Sequence, residues 1–325
     1  MLFCGIDTSN YTTSVALCNG EGRILAHIKY PLPVKQGERG LRQSDAVFAH
    51  IKNLPAATAD LQKVLRESDD KLVAVAVSAT PRDEEGSYMP CFLSGISAAE
   101  MLSVGADVPL YRTSHQQGHI MAAYATSGAE EAQLLEKYGR FIAFHVSGGT
   151  TECVLVERGE NGFRIELLGG TADLNAGQAI DRVGVALGLK FPCGPEMEKL
   201  ALNYSGEKLN TKISVKENLC NLSGLENNAV RMINAGTSPE AVCYYTFSFI
   251  AKTLTKLAEN ARAAQGELPI VWAGGVMSNS IIKNHLSKLG NVYFTEPQYS
   301  ADNAVGVALI CRKKYLNETG NRNDE

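Results

Sequence analysis

Phe141-Ile142-Ala143-Phe144-His145-Val146-Ser147-Gly148-Gly149-Thr150-Thr151-Glu152-Cys153-Val154-Leu155-Val156 carries the strongest architectural signal in the chain. A mostly apolar run makes a buried strand, a polar glycine-bearing turn stops it, and a second apolar run returns. Asn161-Gly162 then turns into a third strand over Phe163–Leu168. The start of the chain follows the same order. Leu2–Ile6 is apolar, Asp7-Thr8-Ser9-Asn10 is a polar turn, Thr13–Cys18 resumes as a strand, and Asn19-Gly20 leads into Arg23–Tyr30. Pro31–Arg42 reads as a loop, Ser44–Leu65 as a helix, Leu72–Val77 as a buried strand, Phe92–Val104 as a helix and Val108–Arg112 as a strand. The second half continues with helices at Ala176–Leu187, Glu196–Leu202 and Ala241–Ala264. Strands at Leu268–Ala273 and Val292–Thr295 and a last helix from Asp302 complete it.

Two halves that each open strand, turn, strand, turn, strand predict a structural duplication. Polar turns at the strand ends offer backbone amides to an anion. On pattern alone two readings stay open: the actin, sugar-kinase and Hsp70 class, or another α/β fold.

Composition narrows the function classes. Of 325 residues, 45% are hydrophobic and 20% charged, which excludes extensive disorder. No apolar run approaches the ~20 residues of a membrane helix, and Met1–Gly5 lacks the basic and apolar regions of a signal peptide. The net charge of −4 and pI near 5.9 exclude a generally basic nucleic-acid coat. Contact with nucleic acid must be local, and Lys35/Arg39/Arg42 and Arg312/Lys313/Lys314 are the basic clusters, each equally explained as solvated surface. Eight scattered cysteines without a CxxC predict reduced core residues in a cytoplasmic protein.

Thr113-Ser114-His115-Gln116-Gln117-Gly118-His119 sets two histidines four apart. On a helix both imidazoles share one face and can reach one metal, although two unrelated histidines give the same spacing. Gln116 stands where a zinc peptidase needs its glutamate, so peptide hydrolysis is not expected. Ser147–Thr151 follows a strand, and Ala273-Gly274-Gly275-Val276-Met277-Ser278-Asn279 lies between a strand and a helix. Either could admit a nucleotide close to the backbone, or serve only for tight packing.

Together these segments resemble the TsaD family of tRNA threonylcarbamoyladenosine transferases, formerly classed as glycoproteases (peptidase family M22). The matching pieces are Gly5-Ile6-Asp7-Thr8-Ser9, His115–His119, Val146–Thr151, Gly177-Gln178-Ala179-Ile180-Asp181, Phe191–Leu200, Ala273–Val276 with Asn279, and Ala301-Asp302-Asn303-Ala304. The resemblance implies an α/β, two-lobed, actin-like ATPase (ASKHA) fold with duplicated βββαβα lobes. The lobes would be 1–112, completed by the C-terminal helix 301–325, and 113–300. It implies a divalent metal, iron or zinc, on His115, His119 and Asp302. It also implies an adenylate substrate, or ATP or AMP, against His145, Val146, Ser147, Gly148, Gly149, Asp181, Gly194, Glu198 and Asn279. His145 stands where some relatives place a metal-binding tyrosine, so it is expected as a fourth ligand.

The implied reaction moves the threonylcarbamoyl group from threonylcarbamoyl-AMP to N6 of adenosine 37 in ANN-decoding tRNA. The implied partners are tRNA and TsaB- and TsaE-like proteins, in a homo- or heterodimer, with no membrane. Several positions depart from the family pattern: Tyr11-Thr12 replaces two acids, Thr150 a His or Asn, and Cys193 a glycine. Pro81–Tyr88 replaces a Gly-Pro-Gly loop. These departures mark a divergent paralogue. They leave two other readings, acyl-adenylate or carbamoyl transfer to a small molecule, and a non-catalytic scaffold.

Overall fold

The computed structural model describes residues 1–9, 11–33, 41–159, 162–207, 209–300 and 304–320. Their contacts divide the chain into two units. The first comprises 1–125, 159–163 and 302–325, and the second 126–158 and 164–301.

The first unit begins with β1 (Leu2–Asp7), β2 (Thr12–Asn19) and β3 (Ile24–Pro31), followed by α1 (Gln43–Glu67), β4 (Leu72–Thr80), α2 (Phe92–Ala106), β5 (Leu110–Ser114) and α3 (His115–Thr126). Its sheet runs β3-β2-β1-β4-β5. β1 is antiparallel to β2 and parallel to β4, which is parallel to β5. The continuous apolar character of β1 and β4 suits strands covered on both faces. On one face Cys4, Ile6, Val15, Leu17, Val75 and Val77 pack with Ala57 and Leu61 of α1 and Ala99 of α2.

The second unit holds α4 (Leu134–Tyr138), β6 (Arg140–Val146), β7 (Thr151–Arg158), β8 (Phe163–Thr171), α5 (Ala176–Ala186), α6 (Gly194–Leu202), β9 (Ser214–Lys216), β10 (Leu219–Asn221), α7 (Ser223–Asn234), α8 (Pro239–Gln265), β11 (Ile270–Ala273), α9 (Ser280–Leu286) and β12 (Val292–Phe294). Its sheet order is β12-β11-β6-β7-β8-β10-β9. β6, β7, β8, β11 and β12 therefore repeat the 3-2-1-4-5 order of the first sheet. The strand senses of β6, β7, β11 and β12 repeat too: β6 is antiparallel to β7 and parallel to β11, which is parallel to β12. The duplication expected from the paired openings is present in the topology. α4, α7 and the short β9–β10 hairpin were not anticipated. Phe144, Phe247, Phe249 and Trp272 are the bulkiest fully buried members of the second core.

The last helix, α10 (Val305–Gly320), returns to the first unit and covers the other face of its sheet. Tyr315 meets Phe3 edge-on at 5.5 Å, and the Cys18 thiol lies 3.5 Å from the Ala308 carbonyl. α3 stays with this unit, so the division falls after Ala125 instead of after Arg112. The reason is close packing of two backbones: a Cβ on Gly306 of α10 would overlap the Gly118 carbonyl oxygen of α3. Gly159, Gly162 and Phe163, the last at the start of β8, also join this unit. The Gln117 side chain donates to the Phe163 carbonyl and accepts its N–H at 3.0 Å, while Phe163 lies edge-on to Tyr124. Of the expected Pro31–Arg42 loop, positions 34–40 lie outside the described residues.

Candidate functional site

β1, β4 and β5 are adjacent and parallel, so their C-terminal ends come out in a row on one edge of the first sheet. Asp7 ends β1, Ser78 lies near the end of β4, and His115 opens α3 directly after β5. Ser114 caps α3 by accepting the Gln117 N–H at 3.2 Å. One turn on, His119 stands over His115, with the two Nε2 atoms 2.9 Å apart and the rings at 81°.

The opposite side of the His115 ring is held by the first turn. His115 Nδ1 is 2.9 Å from Asp7 Oδ2 and 2.7 Å from Ser9 Oγ. Ser78 Oγ donates to Asp7 Oδ2 at 2.6 Å, and the Ser9 hydroxyl and N–H donate to Oδ1. Burial opposes the charge on Asp7. The His115 imidazole and these hydrogen bonds outweigh it and hold the carboxyl well below the usual carboxylate range. Thr8 fixes the same turn to α2, donating to the Cys91 carbonyl at 3.0 Å and accepting the Gly95 N–H at 2.9 Å.

This half-site fits a divalent cation. Two imidazole nitrogens facing each other at 2.9 Å are spaced much as two ligands that each bind one cation at about 2.0–2.1 Å. A carboxylate behind one ring is the usual outer support of such a ligand. Asp302 lies outside the described residues. His145 is half-buried on β6 of the second unit, in register with Glu152 and Ala273. Among the described residues no three His, Cys, Asp or Glu side chains form a metal-sized cluster.

The remaining expected residues gather in the second unit. Ser147–Thr150 closes a turn through Ser147 N–H to the Thr150 carbonyl at 2.7 Å, with Ser147 Oγ accepting the Thr150 N–H at 3.1 Å. The start of α5 lies on this turn: the Gly177 N–H donates to the Ser147 carbonyl, and a Cβ on Gly177 would come within 2.7 Å of Gly148 Cα. Gly148 and Gly149 are open on the side where a Cβ would point. Val146 itself is fully buried in the core.

Asp181 on α5 accepts the Cys193 N–H at 2.8 Å, just before Gly194 starts α6. Burial raises the Asp181 carboxyl above its ordinary value, against the pull of that N–H. Glu198 Oε1 accepts the backbone N–H of Ser280 at 2.7 Å and its hydroxyl at 2.5 Å, so α6 caps α9. Asn279 Oδ1 caps the same helix through the Ile282 N–H, while its Nδ2 is buried with no hydrogen-bond partner. A buried amide donor left over in this way suits a ligand acceptor.

The departures also find places. Cys193 is buried with its side chain against Gly184, and burial, then Asp181 and Glu196, push its thiol up to about 11, so it is a core residue. Thr12 is buried in β2, whereas Tyr11 is exposed. In the Pro81–Tyr88 segment Asp83 accepts Gln117 Nε2 at 2.7 Å, tying that segment to α3. The cations of the Arg312–Lys314 cluster are engaged inside the first unit. Arg312 donates to the Gly20 carbonyl, Lys314 to the Arg112 carbonyl, and Lys313 lies over the Phe163 ring. Lys35 and Arg39 lie outside the described residues.

Ser78 and the carboxylate support of His115 do not stand out as site residues in the sequence. A buried serine near the carboxyl end of an apolar parallel strand was the available signal, since ligands favour such strand ends.

Comparison with known proteins bears on the family. A family model described as tRNA N6-adenosine threonylcarbamoyltransferase, TsaD, matches residues 24–309. The protein of that name from Thermosipho africanus is 30% identical over 97% of this chain and 94% of its own length. A probable bifunctional tRNA threonylcarbamoyladenosine biosynthesis protein from Methanothermobacter thermautotrophicus is 27% identical, and the match spans 97% of this chain and 56% of that protein.

Among solved structures, HypF from T. kodakarensis superposes with a TM-score of 0.61 at 14% identity, over 98% of this chain and 48% of that one. A ROK-family glucokinase from Streptomyces griseus, in complex with glucose and AMPPNP, gives 0.54 at 12% identity over 96% and 99%. At such identities these likenesses establish the fold, the actin-like ATPase class. The match of the family model over most of the sequence goes further: the chain belongs to the TsaD family.

Proposed function

We propose that this chain transfers the threonylcarbamoyl group of threonylcarbamoyl-AMP to N6 of adenosine 37 in ANN-decoding tRNA. The observation that carries the reading is the family match over 24–309. The paired His115 and His119, backed by Asp7, support it. A divalent cation, iron or zinc, held by His115, His119, Asp302 and His145, would supply Lewis-acid polarisation of the carbamoyl carbonyl. Occupancy should fall sharply in His115→Ala and measurably in His145→Ala.

The chain's own groups bind and orient the adenylate. Gly148 and Gly149 present open backbone, Asp181 and Glu198 accept hydroxyls of the sugar, and Asn279 Nδ2 donates. N6 attacks the carbamoyl carbon, the bond to the phosphate oxygen breaks, AMP leaves with the electron pair, and N6 gives up a proton.

The exposed stripes Phe48 and Ile51 on α1 and Leu93, Met101 and Val104 on α2 support a protein partner of the TsaB kind, with a TsaE-like protein in the same system. The eight free cysteines, and the lack among the described residues of any helix long and apolar enough to cross a membrane, support a cytoplasmic setting.

One observation favours a second reading, transfer to a small molecule: the cations of the C-terminal basic cluster are spent on internal contacts. Purified protein with threonylcarbamoyl-AMP and unmodified tRNA, with and without partner proteins, separates the two. Modified adenosine in the digested tRNA supports the first. Turnover of the adenylate on a small acceptor, with tRNA left unmodified, supports the second.

A further inference from the structure

We infer that Asp7, itself held by Ser9 and Ser78, is a positioning residue that locks His115 as the Nδ1–H tautomer and so reserves Nε2 for the cation. This rests on the cation reading proposed above.

Counting protons and lone pairs around Asp7 fixes the tautomer. Asp7 is 1% exposed, and as a carboxylate it only accepts. Oδ1 takes the Ser9 N–H at 2.8 Å and the Ser9 hydroxyl, while Oδ2 takes the Ser78 hydroxyl at 2.6 Å. His115 Nδ1 faces Oδ2 at 2.9 Å and Ser9 Oγ at 2.7 Å. A bare Nδ1 would set its lone pair against a carboxylate oxygen in a largely buried place, where the low dielectric strengthens the repulsion. The Ser9 hydroxyl has one proton and cannot relieve both contacts. A proton on Nδ1 satisfies Asp7 and Ser9 together.

With Nδ1 protonated, the neutral ring keeps its lone pair on Nε2. That atom faces His119 Nε2 at 2.9 Å. A metal-binding imidazole needs this arrangement, since the ligand nitrogen must be unprotonated and the ring fixed in azimuth.

The fold supplies the geometry. Asp7 ends β1 and Ser78 lies near the end of the neighbouring parallel strand β4, with Ile6 in register with Val77, and His115 follows the next strand. Ser78 therefore acts at one remove, by holding Asp7 Oδ2 at the angle that meets Nδ1.

The test uses the full chain with ring-15N histidine. Spectra of the metal-free protein, at a pH where the ring is neutral, should show His115 with pyrrole-type Nδ1 and pyridine-type Nε2. Asp7→Asn should give a mixture of tautomers and a cation affinity lower by about 10–100-fold in competition with a chromophoric chelator. Ser78→Ala keeps the carboxylate and should shift both readouts the same way by less. It carries the test if Asp7→Asn does not fold, as judged by thermal melting. A wild-type His115 protonated on Nε2 would overturn the inference. So would variants that keep both the wild-type tautomer and the wild-type affinity. A wild-type chain that takes up no cation would overturn the reading beneath, while the tautomer spectrum would still decide the role of Asp7.

Discussion

Asp181 Oδ1 accepts the backbone N–H of Cys193 across 2.8 Å, and this contact joins the middle of α5 to the start of α6. The carboxyl pays for its position through burial, which raises its pKa. An acid raised in the folded state binds its proton more tightly there than in the unfolded chain. Its destabilising effect is absent below the unfolded value and complete above the folded one. Asp181→Asn keeps an acceptor for Cys193. It should raise Tm at pH 7, with the gain shrinking towards pH 4 in melts across that range. A gain that grew on acidification would refute this account.

The same residue should matter to ligand in the opposite sense. Asp181→Ala removes acceptors for a sugar hydroxyl, and a charge-assisted hydrogen bond is worth about 1.5–3 kcal/mol. AMP affinity should fall by roughly tenfold or more in calorimetry. Unchanged affinity would remove Asp181 from the nucleotide site.

Gly306→Ala tests the seating of α10 on α3. The added methyl has nowhere to go but into the Gly118 carbonyl, and overpacking of this kind costs about 1–3 kcal/mol or more. The urea midpoint should drop accordingly. If it does not move, the two helices are not in the contact described.

Trp272 is the sole tryptophan and is fully buried, stacked on Phe144 at 4.3 Å and on Phe294 at 6.3 Å between centroids. Its emission should be blue-shifted in the folded chain and move to the red in one step on denaturation of the second unit. Phe144→Ala should lower that unit's stability by about 3–5 kcal/mol, read as an earlier red shift. A red-shifted native spectrum would contradict the stack.

All eight cysteines are buried and free. Burial, the main cause, pushes the thiols of Cys4, Cys18 and Cys243 up to about 12 and those of Cys193 and Cys220 up to about 11. Ellman's reagent at pH 8 should find no fast-reacting thiol in the native chain and the full set in guanidinium. A rapid native reaction would locate an exposed thiolate that this fold does not provide.

The two sheets were legible because their central strands are continuous apolar runs cut off by polar turns, as at Ile6-Asp7-Thr8 and Val146-Ser147-Gly148. α7 was not, although Leu225, Ala229, Met232 and Ile233 recur at helical spacing and pack on the second core, because the helix is short and its other face is rich in Asn. The three-residue strands β9 and β10 are too short to show a period. In the site, the His115–His119 spacing was readable because four residues make one helical turn. Ser78 was not, since its partner Asp7 lies 71 positions away and meets it only through strand alignment. Arg312–Lys314 looked like solvated charge, yet its cations close on carbonyls and a ring that sequence spacing cannot reveal.

The late position of α10 has a consequence for synthesis. The first unit is spelled out by the opening 125 residues, but one face of its sheet is covered by a helix that begins only at Val305. A nascent chain leaving the ribosome therefore carries Phe3 and Cys18 without their lid for most of its translation, while 126–301 already completes the other unit. Domains commonly mature in the order they are made. Here the order is reversed: the part translated first is the part finished last, and the half-site of Asp7 and His115 settles against its full support only when the final helix arrives.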